Sequence, residues 1–172
     1  MRYIITGGPG FGKTSIIKNL NKKGFPFVGE SSRNLINELI EKEGKDPRED
    51  RNRFQILIVK KRIQDFFDNN QDIVFFDRGV FDEIAYSLFY QREPTDECKK
   101  FCKEHKYDKV FIVPPWKEIY KKDELRNESY EKAVALHNEI VKAYKETGHE
   151  ILEIPKLTVE ERVNYVLDKI KN

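Results

Sequence analysis

Residues 7–14 read Gly-Gly-Pro-Gly-Phe-Gly-Lys-Thr and match G-x-x-x-x-G-K-[ST] at every fixed position. The run before them, residues 1–6 (MRYIIT), reads as a buried strand, and residues 14–20 read as the start of a helix. The glycines let the backbone curl so that several N–H groups face one anion. The helix N-terminus adds partial positive charge at the same point. The candidate triphosphate-binding run is therefore Gly7, Gly8, Pro9, Gly10, Phe11, Gly12, Lys13, Thr14 and Ser15. Lys13 would reach the β- and γ-phosphates, and the Thr14 hydroxyl would ligate Mg²⁺. A glycine turn with a chance lysine is the competing reading, and the flanking strand and helix argue against it. The expected ligand is a nucleoside triphosphate, ATP with Mg²⁺.

Strand-like and helix-like segments alternate along the rest of the chain. Residues 25–28 read as a short second strand, with Ser31 and Ser32 as N-cap candidates for a helix to about Lys42. Residues 50–68 carry a helical apolar stripe. Residues 72–77 (DIVFFD) are apolar on both faces, as a central parallel strand requires. Helices over about 81–90 and 96–105, a strand over 109–113, a helix ending near Gly148, a strand over 150–154 and a helix over 158–170 complete the series. The pattern predicts an α/β fold: one domain over residues 1–172, with helices on both faces of a five-stranded, mainly parallel sheet. Ligands in such sheets bind beyond the carboxyl ends of the strands. The phosphate loop, Glu30 and the pair Asp77-Arg78 all fall there.

Each of those residues carries a chemical reading and a plainer one. Asp77 closes the apolar strand, where a carboxylate holds Mg²⁺ or accepts a proton from an attacking hydroxyl; a turn aspartate is the plainer reading. Arg78 could clamp a phosphate or substrate oxygen, or form a structural ion pair. Glu30 and Arg33 share a helix face and could read a hydroxyl-bearing substrate, or pair with each other. Asp82 and Tyr86 extend the same wall. Phe54 and Gln55 could stack on and hydrogen-bond a planar group, with Phe54 as easily core. Residues 115–129 form a lid-like segment in which Arg126 is the favoured arginine and Lys121 the second, with a solvated loop as the alternative. Trp116 would anchor its hinge or flank the base. Either Glu30 or Asp77 could be the base.

Composition excludes some partners. The formal net charge is +2, so no overall basic field argues for nucleic acid. No apolar run approaches the ~20 residues that span a bilayer, and the first strand begins at once, so the expected location is the cytoplasm. Cys98, Cys102 and His105 offer three ligands on one helix, short of a structural zinc set. The expected partners are a nucleoside triphosphate and a small-molecule acceptor, with no nucleic acid or membrane, in a monomer or homodimer.

Several segments together carry a family likeness: residues 7–14, Val28-Gly29-Glu30 with Arg33, residues 74–79 (VFFDRG), Tyr86, residues 113–116 (VPPW) and Arg126. They resemble the small P-loop ATPases labelled "AAA domain", which group with the nicotinamide riboside kinase domain of the NAD-biosynthesis regulator NadR. The resemblance runs almost the full length. It implies a nucleoside- or nucleotide-kinase-like P-loop fold with strand order 2-3-1-4-5. It also implies an acid after strand two or three that activates an acceptor hydroxyl, Glu30 or Asp77 here. The riboside kinases' substrate-reading signature is not clearly present. Phosphoryl transfer from ATP to a nucleoside-like or other small metabolite is the expected activity; a regulatory NTP-hydrolysing switch is the alternative.

Overall fold

The computed structural model describes residues 1–120 and 129–171. Strand β1 (Arg2–Thr6) is followed by helix α1 (Lys13–Lys22), β2 (Phe27–Val28), α2 (Ser31–Glu43) and α3 (Arg51–Asp68). Then come β3 (Val74–Asp77), α4 (Val80–Phe89), α5 (Asp96–Glu104), β4 (Lys109–Ile112), α6 (Tyr130–Glu146), β5 (Ile151–Glu153) and α7 (Val159–Lys171). The sheet order is β2-β3-β1-β4-β5, and every neighbouring pair is parallel.

The apolar strands are explained by burial on both faces. Side chains alternate along a strand, so Ile4 enters one core layer while Tyr3 and Ile5 enter the other. The first layer packs Val74, Phe76, Val110 and Ile112 against α3, α4, α5 and α6. The second packs Phe75 and Phe111 against Ile16, Ile17 and Leu20 of α1 and Val163 and Val166 of α7. Ile4, Ile5, Phe75 and Phe111 are wholly buried, each contributing about 2 kcal/mol of transfer free energy.

Several boundaries differ from expectation, among them strand β3, expected over 72–77 and found as Val74–Asp77, and two have clear local reasons. The second strand begins at Phe27, because Pro26 has no N–H and offers the sheet only its carbonyl, which accepts from Phe75 N–H at 3.0 Å. The N-cap of α2 is Glu30 rather than a serine. Ser31 turns its hydroxyl to the Asp65 carboxylate at 2.7 Å, which leaves Glu30 at the helix mouth. Cys98 and Cys102 are buried in the first core layer, with the Cys98 thiol donating to the Val80 carbonyl. Among the described residues no group of three or more His, Cys, Asp or Glu is placed to hold a metal ion, and no helix is long and apolar enough to cross a membrane.

Candidate active site

The glycine loop leaves β1 and feeds α1 with its backbone donors free of side-chain caps. Gly12 is the N-cap in the left-handed region (φ 87°), and no side chain caps the helix, so the first-turn N–H groups are available to an anion. A Cβ at Gly12 would lie 2.9 Å from Arg162 Nη1 and 3.1 Å from Ile119 Cδ1. A Cβ at Gly8 would strike the Phe11 ring at 2.4 Å and the Ala133 carbonyl at 2.6 Å. The loop is thus backed by the Phe11 ring, the Ala133 carbonyl and the Arg162 and Ile119 side chains. Lys13 is buried, its ammonium donating to the Gly7 and Gly8 carbonyls at 3.1 and 2.8 Å. Thr14 and Ser15 face solvent. Phe11 is core, packed against Tyr120, Tyr130 and His137, so only its backbone borders the cup. Pro9 belongs to the wall of a neighbouring cavity.

Asp77 ends β3 beside β1, with Ile5 as its register partner. It is 4 % exposed and its Oδ1 is buried without a hydrogen-bond partner. Burial raises its pKa; Lys13 opposes that rise, and Glu30 adds to it. Arg78 follows in a left-handed conformation (φ 71°), a strain of about 1 kcal/mol or more for a non-glycine residue. The kink leads straight into α4, and the guanidinium lies over the Tyr86 ring at 5.4 Å. Burial pushes the Tyr86 hydroxyl up to about 12.

Asp82 lies beneath this layer rather than on the cavity wall. Its Oδ1 accepts from Thr6 Oγ1 and from Arg78 Nη1 at 3.1 Å, and its Oδ2 from Gly79 N–H at 2.9 Å and Tyr144 Oη at 2.7 Å. Burial alone would raise this carboxyl, but Arg78 and Arg62 hold it below its usual value. Arg62 also pairs with buried Glu83 at 3.2 Å and donates to the Gly79 carbonyl. This network fixes Arg78 and the start of α4 by charge and hydrogen bonds.

Next to the corner is a cavity of about 380 Å³. Pro9 of the phosphate loop, Glu30, Arg33, Arg78 and Tyr86 line it, as do Phe54 and Gln55. Glu30 and Arg33 pair at 3.3 Å on its rim, so they both line the cavity and bond to each other. Gln55 commits its amide N–H₂ to Ser87 Oγ at 2.6 Å and the Glu93 carbonyl at 2.9 Å. The lining carries six arginines and one lysine against two carboxylates, Glu30 and Glu83.

Some contributors are not among the site residues that the sequence singles out. His137 of α6 is buried under the loop, and its Nδ1 accepts the Gly8 N–H at a long 3.4 Å. Burial first, then Lys13, lower its pKa to about 4. Arg162 of α7 lies over Trp116 at 5.4 Å; its Nε is buried without a partner, and burial lowers its pKa. Neither periodicity nor motif spacing points to either residue. Trp116 precedes a short 3₁₀ turn, Lys117–Ile119. Arg126 and Lys121 lie outside the described residues.

A family profile described as "AAA domain" matches residues 2–162. Comparison with curated proteins by sequence gives no match. Among solved structures the chain is similar to a deoxyadenosine kinase from M. mycoides (TM-score 0.68, 18 % identity, 99 % of both chains covered). It is also similar to a thymidylate kinase from Candida albicans (TM-score 0.64, 16 % identity, 99 % of this chain and 90 % of that one). NadR protein in complex with NR is a third likeness (TM-score 0.68, 20 % identity), covering 98 % of this chain and 50 % of that one, so this chain spans half the length of NadR. At these identities the structural likeness establishes the fold, a nucleotide-kinase-like P-loop sheet. The profile spans nearly the whole sequence, and the chain belongs to the AAA domain family of P-loop proteins.

Proposed function

We propose that the chain is an ATP-dependent phosphotransferase acting on a hydroxyl of a small molecule. The observation that carries this reading is the shared wall of two compartments. Pro9 belongs to the phosphate loop and also lines the cavity that Glu30 and Arg78 enter. A triphosphate in the loop would present its γ-phosphoryl toward that cavity.

In this reading the acceptor oxygen bonds to the γ-phosphorus, the bond from that phosphorus to the β–γ bridging oxygen breaks, and ADP leaves. The acceptor proton passes to a carboxylate. Glu30 lines the cavity and is our choice of base, while Asp77 is not among the lining residues. Lys13 leaves the Gly7 and Gly8 carbonyls to meet the phosphates, and Arg78 offsets charge on the transferring oxygens. Mg²⁺ fits this donor set: Asp77 Oδ1 is a buried oxygen without a partner, and the Thr14 hydroxyl is exposed at the loop. Those two residues would hold the ion, which would neutralise charge between the β- and γ-phosphates. Trp116, with Arg162 stacked on it beside Gly12, supports a place for the nucleotide along that side of the loop.

ADP release across a panel of nucleosides, nucleotides, sugars and hydroxy acids tests the assignment. Lys13→Ala should abolish turnover. Glu30→Gln should lower it by roughly 10²- to 10⁴-fold, the range of a lost general base, while ATP affinity is retained. If no acceptor raises ADP release above the water reaction, phosphotransfer is the wrong assignment.

A further inference from the structure

The cavity's charge is unevenly spent, and the surplus gathers at one end. Arg62 is matched by Glu83 and Arg78 by Asp82, each pair almost wholly buried. Arg33 is matched by Glu30, and Arg48 by Asp46 at 2.6 Å. Three lining cations remain: Arg51, Arg92 and Lys132 form no salt bridge among the described residues, and Arg92 feels Glu83, which Arg62 already pairs, only at longer range. All three converge on the Tyr90 ring, with Arg51 Cζ 5.4 Å, Arg92 Cζ 5.6 Å and Lys132 Nζ 5.2 Å from its centroid. They come from three separate elements: the first residue of α3, the turn after α4 and the first turn of α6. Helical periodicity on one surface therefore does not explain the cluster. The C-terminus of α4 attracts a cation, and Arg92, two residues beyond the Tyr90 C-cap, meets that need. Arg51 and Lys132, brought in from elsewhere, are left over.

Arg92 is held in place. Arg92 Nη1 donates to the Arg51 carbonyl at 2.8 Å, and Arg92 Nε is buried with no partner. Aromatic faces offset part of a cation's charge, but three cations on one ring repel each other across the cavity end. An oxyanion would relieve that repulsion and meet oriented donors.

Its position says which part of a ligand would lie there. Tyr90 caps α4, which starts directly after the Asp77-Arg78 corner. Ten residues of helix span about 15 Å. The Tyr90 ring therefore sits at the opposite end of α4 from the Asp77-Arg78 backbone, one helical turn beyond the Tyr86 ring that the Arg78 guanidinium covers.

The geometry points to an acidic acceptor: a molecule whose hydroxyl lies at Glu30 and whose second group, a carboxylate or phosphate, docks on Arg51, Arg92 and Lys132. This rests on the phosphotransfer reading for the hydroxyl end, and on the cavity alone for the anionic end. Neutral nucleosides would lack that second anchor.

Binding is measured on the full chain saturated with a non-hydrolysable ATP analogue. The probes are matched pairs: a sugar phosphate and its free sugar, a nucleoside monophosphate and its nucleoside, and an aromatic hydroxy acid and its amide. At least one acidic member should bind tenfold or more tightly than its neutral partner, the scale of a charge-assisted contact, with a preference that weakens in high salt. Which pairs show it separates phosphate from carboxylate. Arg51→Gln with Lys132→Gln should cut the preference to about twofold. Both side chains are exposed and hold no structural hydrogen bond among the described residues, and binding of the ATP analogue checks that the double variant is folded. Equal binding of neutral members, a preference that survives in the double variant, or no acidic member binding at millimolar concentration would each overturn the inference. ADP release on the same panel keeps the two readings apart. Acids that bind but are not phosphorylated sink phosphotransfer and leave the anion site standing. Neutral acceptors phosphorylated as readily as acids do the reverse.

Discussion

Acidification should weaken this protein through His137, by an amount that can be worked out. The imidazole is free to protonate near its ordinary value of 6.5 when unfolded and is held down to about 4 when folded. Between those values the unfolded chain binds more protons, so stability rises with pH through the window and is lost as pH falls toward 4. From pH 7 to pH 5 this one group should cost about 2 kcal/mol, from the ratio of its two binding polynomials. In a chain of this length that corresponds to roughly 5 °C in Tm. The structural consequence is local. A protonated Nδ1 no longer accepts the Gly8 N–H, and a second cation appears beside Lys13. Thermal or urea unfolding at pH 7 and pH 5 should be compared in the wild type and in His137→Gln. Other titrating groups are common to both and cancel in the double difference, which should be about 2 kcal/mol. A double difference under about 0.5 kcal/mol would refute the reasoning, as would a wild type more stable at pH 5 than the variant's own trend allows.

Gly8→Ala should destabilise by about 2–4 kcal/mol, because the new methyl meets the Phe11 ring and the Ala133 carbonyl where neither yields easily; urea midpoints check this. Asp82→Asn leaves buried Arg78 without its carboxylate partner, while Arg62 keeps Glu83, for a loss of about 3–5 kcal/mol in thermal unfolding. In the folded fraction of that variant the acceptor KM should rise while ATP affinity holds.

The parts legible in the sequence were those whose chemistry is local. The phosphate loop, the run of residues 72–77 and the helix stripes each depend on neighbours a few positions away. The Asp77-Arg78 corner could be placed at the sheet edge because a buried apolar strand must end there. The Asp82 network could not, since its four donors come from residues 6, 78, 79 and 144. Asp82 was expected on the substrate wall, yet it supports that wall from below. His137 looks like any polar residue in an amphipathic helix until the loop packs on it. The cation cluster was hidden for the same reason. Arg51, Arg92 and Lys132 are far apart in sequence and meet only at Tyr90.

Helix α6 brings several of these threads onto one rod. His137 holds the loop at Gly8, and Tyr144, seven residues on, bonds Asp82 under the corner. Seven residues are nearly two full turns, so both side chains project from one stripe. A slip of one residue would rotate that stripe by about 100° and detach both partners at once. The helix is therefore locked in register, and any displacement of it reaches the loop and the corner together. Substitutions at the two contacts share one moving part, so their effects on stability should combine non-additively.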